Sequence, residues 1–343
     1  MIIPHTNKFA LVGHGYLLFH LFDELKKYNF EKPIIITHNK KFHKRDINES
    51  KNDKKLFRNI FDLKHEAKIF CVNDINSPQT LAILKKNQVT HLFSVSSRFI
   101  FKKKIIKEYQ KKIFNIHGSL LPNERGAGTY TYRIFNSNYF CCSTIHIVNE
   151  GVDKGQIILQ SNKKFISRNS LPYDFLIKTN NISLSLIKKF TRMIYLKKKF
   201  KIKKQKEKKA TYLPRFYTNL HGVIDFNLKG IFIEKFIKGC SHPYSGSHCY
   251  ISHKKKSLKL RIFNAKFIKN KKYIHPFLIG KIIFQNKNSI KVLVSDGSLL
   301  IKLKDIKFEN KKIKIRLLGK TLYNVDSDIK KSHVSTLSVF KYK

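Results

Sequence analysis

The chain has 343 residues, 42% hydrophobic content and a formal net charge of +48 at pH 7. This length is enough for two domains with buried cores. No apolar run reaches the roughly 18 residues that a membrane helix needs, which excludes a membrane-spanning class. The first residues lack the pattern of a signal peptide, so we expect a cytoplasmic protein that does not associate with a membrane.

The positive charge is mostly lysine and runs along the whole chain. One interpretation is an electrostatic footprint for nucleic acid or an anionic membrane. The other is compositional drift of an AT-rich genome, which is also typical of abundant Asn, Ile, Phe and Tyr with no Trp. Dedicated nucleic-acid readers use arginine for bidentate contacts, so the lysine excess favours drift.

The five cysteines are odd in number and show no CxxC spacing. This pattern argues against a disulfide framework and against a structural zinc site. We therefore predict no metal and no disulfide.

The first 120 residues alternate between strand and helix patterns. The predicted strands are 8–12, 33–37, 67–72, 91–95 and 113–116. The predicted helices are 16–27, 79–86 and 102–109, and residues 38–63 are predicted to form a polar loop with some helix. The apolar strands and their alternation with helices predict an α/β fold with an open, Rossmann-like, mostly parallel sheet.

The turn Gly13-His14-Gly15 follows the first strand. A dinucleotide site requires a third glycine three residues later, where this chain has Leu18. The fingerprint is incomplete, so a tight strand-to-helix turn is favoured over NAD binding.

Two further strands, at 143–148 and 156–160, and a long helix at 171–199, broken at Asn180-Asn181, complete the first domain. Residues 197–209 are almost continuous lysine and are predicted to be a solvated linker. A second module follows, with a helix at 231–237 and a hairpin signal at Asp296-Gly297. Its predicted strands are 248–251, 258–263, 281–284, 290–294 and 299–303. We predict a catalytic domain (1–205), a small OB-like β-barrel (210–325) and a loose tail (326–343).

An amide and an imidazole come together at the end of the fifth strand. Asn115 and His117 are two residues apart, so they face the same side of the strand, at the edge where open α/β sheets bind ligands. A loop at residues 150–155 follows 33 residues after His117 and carries Asp153 between two glycines. It is placed to bring a carboxylate to the imidazole.

These segments resemble the formyltransferases that use 10-formyltetrahydrofolate. The resemblance rests on Asn-Ile-His-Gly-Ser-Leu-Leu-Pro at 115–122 and Glu-Gly-Val-Asp-Lys-Gly at 150–155. It implies that the Asn115 amide donates to a developing oxyanion and that His117 moves a proton or assists the oxyanion. Asp153 would orient the imidazole and stabilise its charged form.

The resemblance also implies a site for the formyl donor, 10-formyltetrahydrofolate. The backbone of the loop at 94–100 would hold the pterin ring, and an apolar wall would stand beside it. The residues concerned are Ser96, Ser97, Arg98 and Phe99 for the loop and Leu120, Leu121 and Pro122 for the wall. The wall residues are equally consistent with ordinary core.

Three kinds of amine are formylated within the family: methionine on initiator tRNA, a nucleotide-linked amino sugar, and glycinamide ribonucleotide. The tRNA branch usually has Gly-Thr-Pro after the first strand and Arg-Gly-Ala-Ala-Pro later, where this chain has Gly-His-Gly and Arg-Gly-Ala-Gly-Thr. This favours the amino sugar, a small-molecule partner, over methionyl-tRNA. The predicted acceptor residues are Arg125, Tyr130, Tyr132 and Arg133, with helix packing as their alternative role.

Two further alternatives concern the second module. It is consistent with a packing or dimer-contact element, which would make the protein a homodimer. The whole chain could also be a nucleic-acid-binding protein on a degenerate formyltransferase fold. The presence of Asn115, His117 and Asp153 together argues against such decay.

Overall fold

The computed structural model describes residues 1–4, 7–43, 58–270, 273–309, 316–325 and 328–329. The chain forms two compact units. The first comprises Met1–Gly126, Cys141–Lys164 and Ile177–Tyr212, and the second comprises Ala127–Phe140, Phe165–Leu176 and Leu213–Lys343. Within the described ranges, every helix is too short or too polar to cross a membrane.

The strands in chain order are β1 (Phe9–Gly13), β2 (Ile34–Thr37), β3 (Ile69–Cys71), β4 (His91–Val95), β5 (Ile113–His117), β6 (Arg125–Gly126), β7 (Phe140–Cys141), β8 (Thr144–Ile147), β9 (Ile157–Gln160), β10 (Lys164–Phe165), β11 (Tyr212–Leu213), β12 (Ser247–His253), β13 (Lys256–Ile262), β14 (Lys266–Lys269), β15 (Ile282–Gln285), β16 (Ser289–Val294), β17 (Gly297–Lys302), β18 (Ile306–Phe308) and β19 (Leu322–Tyr323). The α-helices are α1 (Tyr16–Lys27), α2 (Pro78–Lys86), α3 (Lys103–Glu108), α4 (Thr129–Phe135), α5 (Pro172–Tyr195), α6 (Thr218–His221) and α7 (Gly230–Gly239). Short 3₁₀ helices cover Lys40–His43, Ile60–His65, Glu207–Lys209, Pro276–Leu278 and Leu303–Asp305. Helix α5 continues through Asn180 and Asn181, so the predicted break there is wrong, because tertiary packing overrides the weak helix propensity of asparagine.

The first unit is built on a seven-stranded sheet with the order β3-β2-β1-β4-β5-β8-β9. The first five of these strands pair in parallel, and β8 and β9 are added antiparallel. The predicted mostly parallel α/β sheet is confirmed. Strand β5 is the last parallel strand, so its carboxyl end lies between a parallel and an antiparallel neighbour.

Both faces of this sheet are covered by apolar side chains. Along β1, Phe9 and Leu11 belong to one buried cluster, while Ala10 and Val12 belong to another. Side chains alternate across a strand, so a strand covered on both faces must be apolar at every position. This requirement explains the continuous apolar strands of the sequence.

The turn after β1 requires glycine. Gly13 has φ 134, and a Cβ there would lie 1.9 Å from the carbonyl oxygen of Val95. The chain then enters α1, whose Leu17, Leu18 and Leu21 are buried. The sequence therefore forms the predicted tight strand-to-helix turn beside the end of β4.

The second unit contains two antiparallel sheets of four strands, β18-β13-β12-β19 and β14-β17-β16-β15. Val294 pairs with Gly297 around a turn at Ser295-Asp296. The predicted hairpin is confirmed, with its turn one residue earlier than Asp296-Gly297. The β-rich module is as predicted, and closure into an OB-type barrel stays a prediction. The sequence did not indicate β14, β18 or β19, because each is short and carries few buried apolar residues.

The lysine-rich segment at 197–209 differs from the predicted solvated linker. Phe200 is 1% exposed and Gln205 is 7% exposed. The lysines around them keep their charged ends in water. Because lysine dominates the composition of this segment, composition alone did not indicate the two buried residues. The predicted tail at 326–343 lies outside the described residues except for residues 328 and 329.

Candidate active site

Asn115 and His117 lie at the carboxyl end of β5, with the core residue Ile116 between them. Their spacing puts both polar side chains on one side of the strand. The register sets Asn115 beside Ser94 of β4 and beside His146 of β8. Polar side chains from three neighbouring strands therefore meet at this edge.

His146 is a site residue that the sequence analysis missed. Its side chain is 2% exposed, and its Nε2 lies 3.1 Å from Nδ2 of Asn115. Its Nδ1 lies 2.8 Å from the carbonyl oxygen of Ile147. The only signal in the sequence is one imidazole within an apolar strand, and only the pairing of β5 with β8 shows that it faces Asn115.

A turn after β8 brings Asp153 to the same edge. Asp153 has φ 53, a left-handed conformation that Asp adopts more readily than most residues. Gly155 is required by close approach, because a Cβ there would lie 1.6 Å from the carbonyl oxygen of Ile147. The amide of Gly126 donates to Oδ2 of Asp153 at 2.9 Å. The carboxylate thus has a fixed position inside the unit.

Asp153 lies between two imidazoles. Its Oδ1 is 3.3 Å from Nε2 of His146, and its Oδ2 is 3.8 Å from Nε2 of His117. Burial alone would raise the pKa of Asp153, but the charge of His117, the hydrogen bond from His146 and the Gly126 amide together lower that pKa well below its ordinary value. Asp153 is therefore a carboxylate at neutral pH.

The backbone fixes the tautomer of His117. Its Nε2 is 2.8 Å from the carbonyl oxygen of Glu124, which also accepts a hydrogen bond from Ser119 Oγ at 2.6 Å. A carbonyl oxygen only accepts, so Nε2 of His117 carries a hydrogen. The lone pair of neutral His117 is then on Nδ1, which is the atom able to take a proton.

The protonation of His146 and the orientation of Asn115 are linked. Nδ1 of His146 donates to a carbonyl, so Nε2 carries no hydrogen when the ring is neutral and then accepts from the Asn115 amide. When the ring is charged, Nε2 donates to Asp153, and the Asn115 NH₂ loses this acceptor. The hydrogen-bond partner of the Asn115 amide therefore depends on whether Nε2 of His146 carries a hydrogen.

The sequence matches the formyl transferase family over residues 8–171 and the formyl transferase C-terminal domain over residues 218–316. Together these matches cover most of the chain. The chain belongs to the formyltransferase family. It is an enzyme of formyl transfer, and the residues above lie at the carboxyl end of β5 in its seven-stranded sheet.

Two relatives and one solved structure of similar fold are similar to this formyltransferase. The bifunctional polymyxin resistance protein ArnA of Wigglesworthia glossinidia brevipalpis is 27% identical over 242 residues, which are 67% of this chain and 34% of that protein, so the chain spans about a third of its length. The methionyl-tRNA formyltransferase of Finegoldia magna is 26% identical over 263 residues, covering 74% and 80% of the two chains. The N-formyltransferase of Helicobacter canadensis, solved with folinic acid and dTDP-3-aminofucose, shares the fold with a TM-score of 0.62 at 18% identity, covering 87% and 99%.

The residues predicted to bind the formyl donor differ in exposure. In the loop after β4, Ser96 and Arg98 are exposed, while Ser97 Oγ accepts from the amide of Phe99 at 3.1 Å. The Phe99 ring is buried and stacks on His38 with 3.7 Å between centroids. This loop leaves the sheet next to Asn115, because Ser94 is the β4 partner of that residue.

The predicted apolar wall of this formyltransferase is mostly buried. Leu121 is 2% exposed and Pro122 is also buried, whereas Leu120 is half-buried. Leu121 and Pro122 thus have the burial of core residues. Leu120 is the member of the wall with surface left to contact a ligand.

Arg125 is also buried, at 3% exposure. Its guanidinium donates to Oε1 of Gln205 at 2.9 and 3.1 Å, and to both carboxylate oxygens of Glu207 at 2.8 and 2.9 Å. Most of its donor capacity is used by these two residues. An acceptor-binding role for Arg125 stays a prediction.

The other three predicted acceptor residues are on α4, in the second unit. Tyr130 stacks near Phe175 at 6.1 Å, and Tyr132 packs edge-on against Phe135 and Phe216. Arg133 is 1% exposed, with its guanidinium 4.6 Å from the centroid of the Phe140 ring. These contacts favour the packing alternative for Arg133, and they leave Tyr130 and Tyr132 half-buried.

Proposed function

We propose that this formyltransferase moves the formyl group of 10-formyltetrahydrofolate to the amino group of a nucleotide-linked amino sugar, with Asn115, His117 and Asp153 as its catalytic residues. The donor supplies a formyl carbonyl that a neutral amine attacks, with a C–N bond formed to the acceptor and the C–N bond to the folate broken. A proton must leave the attacking nitrogen, and one must reach the leaving nitrogen.

In this proposal His117 accepts the proton that leaves the attacking nitrogen. Its Nδ1 carries the lone pair, because Nε2 donates to the Glu124 carbonyl at 2.8 Å. Once protonated, the ring is stabilised by the carboxylate of Asp153, whose Oδ2 is 3.8 Å from Nε2. A charge 3.8 Å away inside a shielded site favours the imidazolium without holding the proton itself.

In this proposal Asn115 stabilises the oxyanion. Its NH₂ cannot titrate and offers two hydrogens, of which one points to His146 in the neutral state of that ring. The other hydrogen is available for an oxygen that gains charge during the reaction. Placing the amide at the strand end, with its orientation set by a buried partner, lowers the reorganisation needed at the moment of transfer.

A folate donor fits the groups at this edge. The loop that begins at Ser94 runs from the β4 position next to Asn115 and exposes Ser96. The Helicobacter canadensis relative was solved with folinic acid. In our proposal the backbone of residues 96–99 holds the pterin, and Leu120 contacts it from the apolar side.

The proposal of an amino-sugar acceptor depends mainly on the backbone conformation of Gly128. This residue has φ 73 and precedes α4 in a left-handed conformation, and Gly126 has φ 92. The usual tRNA-branch pattern has Ala and then Pro at 128 and 129, and a left-handed backbone is costly for alanine. The backbone from Gly126, whose amide contacts Asp153, to Gly128 therefore has a conformation that the tRNA-branch sequence does not favour.

Methionyl initiator tRNA is the second candidate acceptor. It is favoured by the match to a formyl transferase C-terminal domain and by the name of the Finegoldia magna relative. The net charge of +48 would attract tRNA as well as any other polyanion.

The deciding experiment offers purified enzyme and 10-formyltetrahydrofolate a panel of nucleotide-linked amino sugars beside methionyl-tRNA, at about 200 mM salt to suppress non-specific RNA binding. Formyl transfer to at least one sugar, lost in His117→Ala, supports the proposal. Turnover confined to methionyl-tRNA would replace the sugar with the second candidate. Inactivity of the wild type on every amine would remove both.

A further inference from the structure

The segment at 200–207 packs against the first unit next to the Asp153 turn. Phe200 lies in the buried cluster that covers one face of the sheet. Lys203 and Ile157 exchange two backbone hydrogen bonds, each of 2.8 Å. Ile157 is two residues beyond Gly155, so this pairing brings the next residues of the segment to the turn that carries Asp153.

Gln205 closes that turn with its side chain. Its Nε2 donates to the carbonyl oxygen of Asp153 at 2.7 Å and to that of Gly155 at 2.6 Å. The two hydrogens of one amide thus satisfy two carbonyls of a turn whose central residue has φ 53. A buried carbonyl without a hydrogen-bond partner is unfavourable, so this contact selects the observed turn.

Arg125 sets the orientation of the Gln205 amide. The guanidinium can only donate, and two of its N–H groups reach Oε1 of Gln205. Oε1 must therefore face Arg125, and the NH₂ must face the turn. The hydrogen bond from Arg125 lowers the pKa of Glu207, which receives the remaining guanidinium donors.

The same short stretch of chain holds the Asp153 side chain. Gly126, directly after Arg125, donates its amide to Oδ2 of Asp153 at 2.9 Å. Asp153 is thus held twice, at its backbone by Gln205 and at its carboxylate by Gly126. Arg125 joins the two contacts, since it is bonded to Gln205 and is the neighbour of Gly126.

We propose that Gln205 is a positioning residue of the formyl-transfer site, which, together with Arg125, holds Asp153 at its distance from His117 and His146. The inference rests on the proposed function, because it concerns the placement of the proposed carboxylate. It gives the lysine-rich segment a role at the site, and it gives Arg125 a role other than binding the acceptor.

Two substitutions and one control test the kinetics. Gln205→Glu keeps the shape and the acceptor for Arg125 but turns a carboxylate oxygen toward two carbonyl oxygens. Gln205→Ala removes both hydrogen bonds to the turn without adding charge. We expect kcat to fall roughly 10- to 100-fold, more for Glu than for Ala, with KM for the formyl donor changed less than about threefold. Lys204→Ala, an exposed neighbour in the same segment, should retain the wild-type kcat.

Hydrogen exchange at the Gly126 amide gives a readout that does not need activity. In wild type this N–H is bonded to Asp153, so its exchange reports the position of the carboxylate. We expect exchange at least about tenfold faster in Gln205→Glu, as in Asp153→Ala, and unchanged in Lys204→Ala. Wild-type exchange in both Gln205 variants would overturn the inference, even if the enzyme proved inactive on every amine.

A double-variant cycle separates positioning from general loosening of the fold. If Gln205 acts through Asp153, then Gln205→Glu should lower kcat less than about twofold further in the Asp153→Ala background. Two reductions that multiply would contradict a role through Asp153. Gln205→Ala takes the same place in the cycle if Gln205→Glu does not fold.

Discussion

The end of β5 and helix α4 hold their polar side chains by different forces. At the end of β5, Asn115, His117 and Asp153 are fixed by hydrogen bonds and charges with distances of 2.8–3.8 Å. On α4, Tyr132 and Arg133 are fixed by packing against aromatic rings. Side chains held by polar partners can change their charge state in place, whereas side chains held by packing mainly stabilise the unit. Substitutions in the two regions should therefore affect different quantities.

The largest expected effect is on the polar side of this comparison. His117→Ala removes the proposed proton carrier, and such a loss lowers kcat by roughly 10² to 10⁴. The free energy of unfolding should fall modestly, because Asp153 loses His117 but keeps its contacts with His146 and the Gly126 amide. Steady-state formyl transfer and thermal unfolding measure the two quantities. His65→Ala, at an exposed imidazole of the first unit, is the matched control and should behave as wild type.

Substitutions in the packed helix α4 should affect stability more than catalysis. Ile134 on α4 is fully buried, so Ile134→Ala should reduce the free energy of unfolding by about 2–5 kcal/mol. The kcat of the folded enzyme should fall far less than in His117→Ala. Urea unfolding gives the first number and transfer assays below the unfolding transition give the second. If kcat fell as much in Ile134→Ala as in His117→Ala, the proposed difference between the end of β5 and helix α4 would be wrong.

The two glycines on either side of Asp153 differ in the space around them. A Cβ at Gly155 would lie 1.6 Å from a backbone oxygen, whereas one at Gly151 would meet only the flexible side chain of Lys154 at 2.5 Å. Gly155→Ala should therefore shift the turn and lower kcat roughly 10- to 100-fold. Gly151→Ala should lower it less than about threefold. Equal effects of the two substitutions would show that the placement of Asp153 does not control the rate.

The smallest expected effect is a pH dependence of stability. The folded-state pKa of Asp153 lies well below its ordinary value of 3.8, so its charge stabilises the fold above that pH, and this contribution disappears as the pH falls toward the folded-state pKa. The difference in unfolding free energy between wild type and Asp153→Asn should be constant near neutrality and shrink below about pH 4. Urea titrations from pH 6 to pH 3 measure it. A difference that grows as the pH falls would contradict the assigned charge state.

The sheet and two of the proposed catalytic residues could be predicted from sequence because their signals are local. Each strand of the first unit is an apolar run, and the spacing of Asn115 and His117 alone puts both on one side of β5. Their place at a carboxyl end follows from strand-helix alternation. These features depend only on neighbours along the chain.

The remaining site features depend on pairing and backbone geometry, which composition does not carry. His146 faces Asn115 only through the register of β5 and β8. Gln205 is one amide within a lysine run, and its burial follows from the backbone pairing of Lys203 with Ile157. Tyr132 and Arg133 have the same sequence pattern whether they face a ligand or a core, so packing alone distinguishes these roles.

The most direct test of the account is the single-turnover rate of formyl transfer in wild type, His117→Ala, Asp153→Ala and the double variant. Asp153 is proposed to act through the imidazole of His117, so the double variant should be within about threefold of the slower single variant, because the effects of groups that act as a unit are not additive. Reductions that multiply in the double variant, or a wild-type rate in either single variant, would contradict it.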